Sequence, residues 1–399
     1  MTAVTPIHPF PARMAPEIAL RAVSELPAGS LVLDPMAGSG TVLRTAADQG
    51  HSAIGFDLDP LAVLMAKVWN TEIDPARLLK AGYDLLERVD SQDHRRIIPL
   101  PWIDNDRETT DFIKDWFARK QRMQLRCFSG LLYRRRGTIA DAMRIALSRT
   151  IIRKEGGASL GDDVSHSRPH IVREENDYDV AAGFETSMVR LASIFEEQPP
   201  QGRVQVKRGD GRCLSELKTR SADAIVTSPP YLNAIDYLRG HKLSLVWFGY
   251  QMRTLRRIRA MSIGAEKGPD TISKSWVQRL RKAMGDIGAL PGAQQRMVDR
   301  YIMDLHDMLV AVRRVLKSEG TAVFVTGNSC LRGVFIQNSA AVAELAQQLG
   351  FVLMNQDERE LPAMRRYLPP PSAVTPRGIE KRIRTEVVMR FQVGDRRHR

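Results

Sequence analysis

The residues best suited to chemistry form the run Thr-Ser-Pro-Pro-Tyr at positions 227–231. The apolar residues 224–226 precede this run and predict a strand, which the two prolines must end because proline lacks an N–H and has a fixed φ. The turn leaves carbonyl oxygens unpaired beside the Ser228 hydroxyl, so these oxygens can hold an amino group, and the Tyr231 ring can stack on a flat base. An ordinary strand-ending turn is the alternative for such a run taken alone. The predicted catalytic residues are Ser228, Pro229, Pro230 and Tyr231.

A second candidate site is a glycine-rich loop between two strands that each end in an acid. Residues 31–34 predict a short buried strand ending in Asp34, and residues 53–57 predict a second strand ending in Asp57. The loop and a helix lie between them, which gives a βαβ unit with glycines where the backbone must closely approach a ligand. The predicted cofactor-binding residues of this unit are Asp34, Pro35, Met36, Ala37, Gly38, Ser39, Gly40, Thr41 and Asp57.

The residues of this loop discriminate between nucleotide-like cofactors. A dinucleotide fingerprint has a small residue where this chain has Leu43, and a pyrophosphate would be repelled by Asp34. The loop also lacks the lysine of an ATP-binding P-loop. S-adenosylmethionine carries a positive charge, an amino group and a ribose whose two hydroxyls suit Asp57. We therefore predict S-adenosylmethionine as the cofactor.

The composition predicts a large α/β protein. The 399 residues suffice for one large domain with insertions or for two domains, and a hydrophobic content of 43% allows a sizeable core. The sequence contains no run of 18 apolar residues, so no membrane span is predicted. The N-terminus has no apolar signal-peptide core, so we predict a cytoplasmic protein. The three cysteines are far apart, and the loop pair His166 and His170 has no clear third ligand, so no metal site is predicted.

Positive charge is concentrated in two blocks of the sequence. Residues 114–154 hold 12 Lys or Arg against 2 Asp or Glu, and residues 239–282 hold 11 against 2, whereas the whole chain has a net charge of +13. This concentration, mostly of arginine, favours binding of a phosphate backbone over a uniformly solvated surface. The predicted DNA-binding residues are Arg134, Arg135, Arg136, Arg253, Arg256 and Arg257.

Further elements of the sheet are predicted from alternation and helical periodicity. Residues 204–210 predict a strand followed by the acid Asp210, and apolar residues spaced by three and four predict a helix over 298–316. Strands are predicted at 321–326 and 351–354. The segment 382–391 alternates weakly and is typical of a final antiparallel strand.

In its glycine loop and its Ser-Pro-Pro-Tyr run, the chain resembles the amino-group DNA methyltransferases that modify cytosine N4 or adenine N6. The two motifs together are specific for this family, although neither motif is specific by itself. The segment His8-Pro9-Phe10-Pro11 resembles the arm that in this family folds over the methionine end of the cofactor, which implies a cofactor-binding role for Phe10. Asp57 and Asp210 fall where the second and third strands of the family carry cofactor-binding acids.

The resemblance implies a Rossmann-like methyltransferase fold of α/β class, with a mostly parallel seven-stranded sheet, an antiparallel final strand and here basic helical insertions. The catalytic domain is predicted to comprise residues 1–71 and 201–399. The stretch 72–200 departs from the family pattern and is predicted to be an insertion that recognises DNA. A second basic helical insertion is predicted at 239–296.

The resemblance also implies a reaction and its partners. The predicted function is site-specific methylation of double-stranded DNA at the exocyclic amine of a flipped-out base, most often cytosine N4 in members with a Ser-Pro-Pro-Tyr run. Adenine N6 of DNA, a base amine of RNA and an inactive nucleic-acid-binding protein are the alternatives. A cognate restriction enzyme is a possible partner. The proton is lost to solvent or through a neighbour such as Asp236.

Overall fold

A computed structural model describes residues 4–11, 13–91, 98–232, 236–264, 275–360 and 385–394. Within this part of the chain, a single large sheet is built from strands β1 (Leu31–Asp34), β2 (Ser52–Asp57), β3 (Val204–Arg208), β4 (Ala222–Thr227), β5 (Leu316–Gly327), β6 (Phe351–Glu360) and β7 (Thr385–Val393). Two small antiparallel hairpins accompany it, Gly161–Asp162 with His170–Ile171 and Ser329–Leu331 with Val334–Ile336.

The strands of the large sheet lie in the order β6-β7-β5-β4-β1-β2-β3. The five strands from β5 to β3 pair in parallel, whereas β7 runs antiparallel to both β5 and β6. This order and the antiparallel final strand confirm the predicted Rossmann-like fold class. Of the segment predicted to form the last strand, residues 382–384 lie outside the described residues.

Helices cover both faces of the sheet, and further helices form the stretch 72–200. They are α1 (Pro16–Ser24), α2 (Thr41–Asp48), α3 (Pro60–Trp69), α4 (Pro75–Asp90), α5 (Pro101–Asp104), α6 (Arg107–Trp116), α7 (Arg119–Tyr133), α8 (Thr138–Ile151), α9 (Val180–Glu197), α10 (Leu238–Leu245), α11 (Met252–Met261), α12 (Ser275–Met284), α13 (Gly292–Val315) and α14 (Asn338–Gln348).

The two faces of the sheet contribute to different cores because successive side chains of a strand point in opposite directions. On β1, Val32 packs with α1 and α2, whereas Leu33 belongs to the core formed with α13 and α14. On β5, Val323 and Phe324 divide between the two cores in the same way. The sheet is therefore buried on both sides, as parallel sheets require.

The stretch 72–200 is mainly helical and packs on α3. One hydrophobic cluster runs through α3, the helices α4 to α9, and α10 with α11. Trp69 of α3 and Trp247 after α10 are both buried in this cluster. The second predicted insertion, 239–296, comprises α10, α11 and α12 and ends inside α13.

Candidate functional site

The site lies where the strand order reverses. From β1 the chain continues outward to β2 and β3, whereas β4 and β5 lie on the other side of β1, and open α/β sheets bind ligands beside such a point. Asp34 ends β1 and Thr227 ends β4, and the Thr227 hydroxyl donates a buried hydrogen bond of 2.7 Å to Asp34 Oδ1. This bond joins the strand end before the glycine loop to the strand end before the Ser-Pro-Pro-Tyr run.

The glycine loop makes a close turn against α3. Gly40 has φ +90°, and a Cβ there would lie 2.9 Å from Ala66 and Asn70, so this position requires glycine. The Ala37 amide donates a 2.8 Å hydrogen bond to the carbonyl of Phe56 in β2, which fixes the start of the turn. The loop leads directly into α2, whose first N–H groups have no acceptor within the helix and no side-chain cap.

Polar atoms in this loop lack partners within the described chain. The hydroxyl oxygens of Ser39 and Thr41 are buried, with 5% and 4% of each residue exposed, and no described group hydrogen-bonds to them. Buried polar groups are normally paired, so unpaired hydroxyls beside a helix N-terminus indicate a place for a polar ligand.

Asp57 is oriented by the backbone of the loop. Its two carboxylate oxygens accept hydrogen bonds of 2.9 Å from the amides of Gly38 and Asp59. Burial, followed by the charge of Asp59, raises the pKa of Asp57 to about 6. The carboxylate is thus held rigidly at the end of β2, where it can accept further hydrogen bonds from hydroxyls of a ligand.

Asp34 is a second buried carboxyl in the same crevice. Burial raises the pKa of Asp34 to about 7, although hydrogen bonds from Thr227 and the Met36 amide lower it. Both of these bonds end on Oδ1, so Oδ2 can take a hydrogen bond from an amino group. A cationic ligand beside Asp34 would favour the ionised carboxylate.

Asp210 follows β3 and is engaged by a neighbouring arginine. Arg212 binds Asp210 at 2.6 Å and Asp304 at 2.5 Å. Burial raises the pKa of Asp210, but the hydrogen bonds and charge of Arg212 outweigh this effect and lower it overall. A Cβ on Gly211 would lie 2.5 Å from the Pro35 carbonyl oxygen, so this turn touches the glycine loop. The cofactor-binding role of Asp210 stays a prediction.

The Ser-Pro-Pro-Tyr run leaves the sheet immediately after β4. Pro229 is buried, whereas Ser228 and Tyr231 are partly exposed. Tyr231 lies near Tyr301 of α13, whose pKa is raised first by burial and then by the proximity of Tyr231. The residues 233–235 that follow lie outside the described part of the chain.

Phe10 connects the two loops. A Cβ on Gly38 would lie 3.1 Å from the Phe10 ring, so the ring lies directly on the glycine loop. The same ring stacks on Tyr237, with centroids 4.8 Å apart and planes inclined by 17°. The N-terminal arm (residues 4–11) therefore contacts both the glycine loop and the segment that follows the Ser-Pro-Pro-Tyr run.

The sequence analysis did not predict a buried histidine–aspartate pair beside Asp57. His241 is 1% exposed, and its Nδ1 lies 2.5 Å from Asp59 Oδ2. The other oxygen of Asp59 accepts the Leu61 amide at the start of α3. Nothing in the sequence placed His241 beside the start of α3. Its Nε2 has no partner among the described residues, which adds a third unpaired polar atom near the crevice.

The predicted DNA-binding arginines divide into free and paired groups. Arg134 and Arg257 are exposed and form no ion pair within the described chain. Among the described residues, the Arg136 guanidinium donates to the carbonyls of Tyr133 and Arg135 alone. By contrast, Arg256 forms an ion pair with Glu108. The remaining candidates are partly exposed Arg135 and exposed Arg253, which hydrogen-bonds to Gln251.

Part of the positive charge in the two blocks is used inside the fold. Arg126 pairs with Asp104 at 2.7 Å, and Arg281 pairs with Asp299 at the same distance. In the described ranges, no three His, Cys, Asp or Glu side chains are grouped so as to hold a metal ion. None of the described helices combines the length and the apolarity needed to cross a membrane.

Comparison with known proteins gives relatives over most of the chain. The chain is 22% identical to the Type II methyltransferase M.MjaII of Methanocaldococcus jannaschii, over 88% of this chain and 76% of the relative. It is 21% identical to the Type II methyltransferase M.MvaI of Kocuria varians, over 90% and 84%. No family model matches.

The solved structures that match the chain share little sequence with it and have low TM-scores. A putative sarcosine dimethylglycine methyltransferase from Galdieria sulphuraria has a TM-score of 0.36 at 9% identity and covers 95% of this chain and 84% of its own. The [4+2]-cyclase SpnF has a TM-score of 0.35 at 10% identity, over 97% and 86%. The strand order observed in the chain itself carries the assignment of the fold.

The strand order and the residues of the crevice, together with the relatives, indicate an S-adenosylmethionine-dependent methyltransferase. The chain is similar in particular to Type II methyltransferases, which confirms the resemblance inferred from its two motifs.

The residues of the crevice fit S-adenosylmethionine. Asp34 can offer a carboxylate to a cationic ligand, and Asp57 can accept hydrogen bonds from ribose hydroxyls; both roles stay predictions. The unpaired hydroxyls of Ser39 and Thr41 suit the polar amino-acid end. A ligand of this kind would satisfy groups that the protein alone leaves unpaired.

Cofactor affinity should fall as the pH is lowered through 7 and then 6. The raised pKa values of Asp34 and Asp57 mean that both carboxyls gain protons in this range, and a cationic, hydroxyl-bearing ligand favours their ionised forms. Below the pKa of each carboxyl, the affinity should decrease by up to about tenfold per pH unit for that carboxyl. Calorimetry at pH 6 in buffers of different ionisation enthalpy should detect proton release. Equal affinity from pH 8 to 5.5 would contradict this, and Asp57→Asn should make the dependence shallower.

Proposed function

We propose that the chain is a site-specific DNA methyltransferase that methylates the exocyclic amine of a flipped-out base, namely cytosine N4. The observation that carries the proposal is the buried 2.7 Å hydrogen bond between Thr227 and Asp34, because it fixes the base-binding loop beside the cofactor loop. A methyl transfer requires these two ligands to be in contact and aligned. The Type II methyltransferase relatives, which extend over most of the chain, support the same reaction class.

In the proposed reaction, the protein makes an unreactive amine accessible and correctly oriented. The lone pair of an exocyclic base amine is delocalised into the ring, so the nitrogen is a poor nucleophile. Ser228 Oγ and the Pro229 carbonyl oxygen would accept its two N–H bonds and favour a tetrahedral nitrogen. Tyr231 would stack on the base after it leaves the duplex, since the crevice cannot receive a base inside a helix. S-adenosylmethionine supplies the electrophilic methyl group.

The proton of the amine has two possible routes, and the surroundings of Asp236 favour one of them. Its carboxylate is held by ion pairs with Arg239 at 3.3 Å and with Arg259 at 2.5 Å. Both guanidinium groups already donate to Oδ2 of this carboxylate, so a protonated amine would have to compete with them for it. We therefore propose that the proton leaves to solvent after the methyl transfer, when the nitrogen is positively charged and acidic.

Cytosine N4 is proposed over adenine N6 because the loop begins with serine. An aspartate at this position would be a stronger acceptor, and the Ser-Pro-Pro-Tyr run resembles the cytosine-specific members more closely. Adenine N6 uses the same contacts and stays the second candidate. The names of the relatives also make a cognate restriction enzyme a reasonable partner to seek.

The proposed polymer is DNA, and a competition experiment separates it from RNA. Equal masses of unmethylated duplex DNA and of RNA are incubated together with methyl-labelled S-adenosylmethionine, and each polymer is then isolated by digestion of the other. The label should be found in DNA. Label in RNA alone would replace the proposal with an RNA methyltransferase, and binding of DNA without label in either polymer would support an inactive binding protein.

Neutralising the arginine run at 134–136 should weaken DNA binding and its dependence on salt. These side chains lie at the turn between α7 and α8, and neither exposed member has a carboxylate partner among the described residues. If each arginine displaces one counterion, the slope of log K against log salt should decrease by about 2 to 3. Fluorescence anisotropy at several salt concentrations measures this slope.

A matched variant controls for the loss of charge. Arg77, Lys80 and Arg88 are three exposed cations on α4, in the same insertion but outside the basic block. Neutralising them removes the same charge and should leave the slope nearly unchanged. Equal slopes for the wild type and the 134–136 variant would show that the arginine run is a solvated surface.

A further inference from the structure

The N-terminal arm is fastened to a helix of the insertion. Arg149 of α8 donates a hydrogen bond of 2.7 Å from Nη1 to the carbonyl oxygen of Ile7. Ser148, the preceding residue of α8, forms a buried hydrogen bond of 2.8 Å with Nε2 of His8. Two consecutive residues of the insertion therefore hold two consecutive residues of the arm.

The bond between Ser148 and His8 has a defined direction. The other ring nitrogen of His8, Nδ1, lies 2.7 Å from the carbonyl oxygen of Pro9, which can only accept, so Nδ1 carries the hydrogen. Burial lowers the pKa of His8 to about 3, so the ring is neutral and Nε2 is an acceptor. The Ser148 hydroxyl must then donate to Nε2. The alanine variant of Ser148 would leave this buried acceptor unpaired.

The bond from Arg149 is also costly to lose. Its guanidinium has no carboxylate partner among the described residues, and burial, followed by the charges of Arg190 and Arg153, lowers its pKa to about 10. The group remains charged at neutral pH, and the Ile7 carbonyl is the oxygen that receives it. A buried cation holds such an acceptor strongly because its desolvation is otherwise uncompensated.

The fastened segment ends at the cofactor loop. Phe10 follows His8 by two residues, and its ring lies on Gly38 and stacks on Tyr237. An irregular segment has no ladder of backbone hydrogen bonds to set its position, so its anchors determine where Phe10 lies. The insertion provides a further anchor at residue 5 of the arm. The amide of this residue donates a hydrogen bond of 2.8 Å to the side chain of Gln198, which lies in the insertion.

We propose that Ser148 and Arg149 are positioning residues for cofactor binding: from the insertion, they hold the arm so that Phe10 covers the glycine loop. The inference rests on the proposed function, because it assumes that this loop holds S-adenosylmethionine. Neither side chain needs to touch the cofactor. Their effect should act through Phe10, and this separates positioning from a merely structural role.

A double-mutant cycle tests the proposal by calorimetric titration with S-adenosylmethionine. The variant with Ser148→Ala and Arg149→Met should bind the cofactor about fivefold to tenfold more weakly, as expected for the loss of two buried hydrogen bonds that order the arm. Phe10→Ala should also weaken binding. Combining all three changes should cost little more than Phe10→Ala alone, since the ring that is being positioned has gone. Hydrogen exchange of residues 4–11 should be faster in the Ser148 and Arg149 variant.

Two controls keep the result interpretable. Arg144→Ala removes a comparable arginine of α8, which donates to the carbonyls of Leu132 and Arg135 and not to the arm. It should lower the melting temperature without changing cofactor affinity. Ser148→Ala alone, a small change, should show part of the effect if the double replacement fails to fold, and Arg149→Lys should restore part of the affinity.

The opposing outcomes are distinct. Unchanged affinity in the Ser148 and Arg149 variant, or a loss of equal size in the Phe10→Ala background, would overturn the positioning role and leave the proposed function intact. Failure of the wild type itself to bind S-adenosylmethionine would overturn both.

Discussion

Ser228→Ala should slow methyl transfer about 10²-fold in single-turnover experiments while S-adenosylmethionine and DNA bind normally. The hydroxyl is proposed to accept an N–H of the target amine, and this bond strengthens as the nitrogen becomes tetrahedral. Its loss should therefore lower the rate of the chemical step more than the affinity for DNA. Rapid mixing of preformed enzyme–DNA complex with labelled cofactor measures this rate.

Ser221→Ala is the matched control for this replacement. Ser221 lies just before β4, at the opposite end of the strand that leads to Ser228, and its hydroxyl donates to the Lys218 carbonyl. This variant should react at the wild-type rate. Full activity in Ser228→Ala, with both ligands bound normally, would remove the Ser-Pro-Pro-Tyr run from the chemistry.

Asp57→Ala should weaken S-adenosylmethionine binding by tenfold or more. The carboxylate is oriented by the amides of Gly38 and Asp59 at the end of β2, so it can accept both ribose hydroxyls without reorganisation. Hydrogen bonds to a charged group contribute roughly 1.5–3 kcal/mol, which converts to a loss of at least one order of magnitude. Calorimetric titration of the purified variant measures the dissociation constant.

Asp223→Ala provides the comparison for Asp57. Asp223 also accepts a hydrogen bond from a backbone amide, that of Leu31 at 2.8 Å. It lies near the amino end of β4, however, away from the carboxyl ends of the strands, and it pairs with Lys317. Its removal should affect stability and leave the dissociation constant unchanged. A wild-type constant in Asp57→Ala would contradict the ribose assignment.

The sequence was informative about the edge of the sheet where the ligands bind. Asp34 and Asp57 each follow a short apolar run, and two prolines follow Thr227, so all three strand ends could be located from local residue types. Parallel strands put their carboxyl ends at one edge, and for this reason local patterns sufficed to bring these residues together. The hydrogen bond between Thr227 and Asp34 required the strand order, which no local pattern specifies.

Contacts between distant segments could not be predicted. His241 lies 182 residues from Asp59 and has no neighbouring motif, and the partners of Arg149 and Ser148 are in the N-terminal arm. Charge patterning had the same limit. The high arginine content of residues 114–154 was evident, but the ion pair of Arg126 with Asp104 depends on how the helices pack.

The boundaries of the elements after residue 290 differ from the predicted ones for a physical reason. The helix predicted at 298–316 is α13, which begins earlier, at Gly292, and ends at Val315. The strand predicted at 321–326 is β5, which begins directly at Leu316. β6 extends to Glu360, well beyond the predicted 351–354, because pairing with β7 continues along its polar half. Pairing with a neighbouring strand thus overrides weak local propensity.

The most direct test of the account is mass analysis of nucleosides from unmethylated duplex DNA after incubation with the protein and S-adenosylmethionine. The account predicts N4-methylcytosine. This product should be absent when the reaction of Ser228→Ala is stopped after the time that the wild type needs for a single turnover. N6-methyladenine would keep the site and change the target base. DNA that carries no methylated base, or carries the methyl group on a ring carbon of cytosine, would contradict transfer to a base amine held by Ser228 and Tyr231.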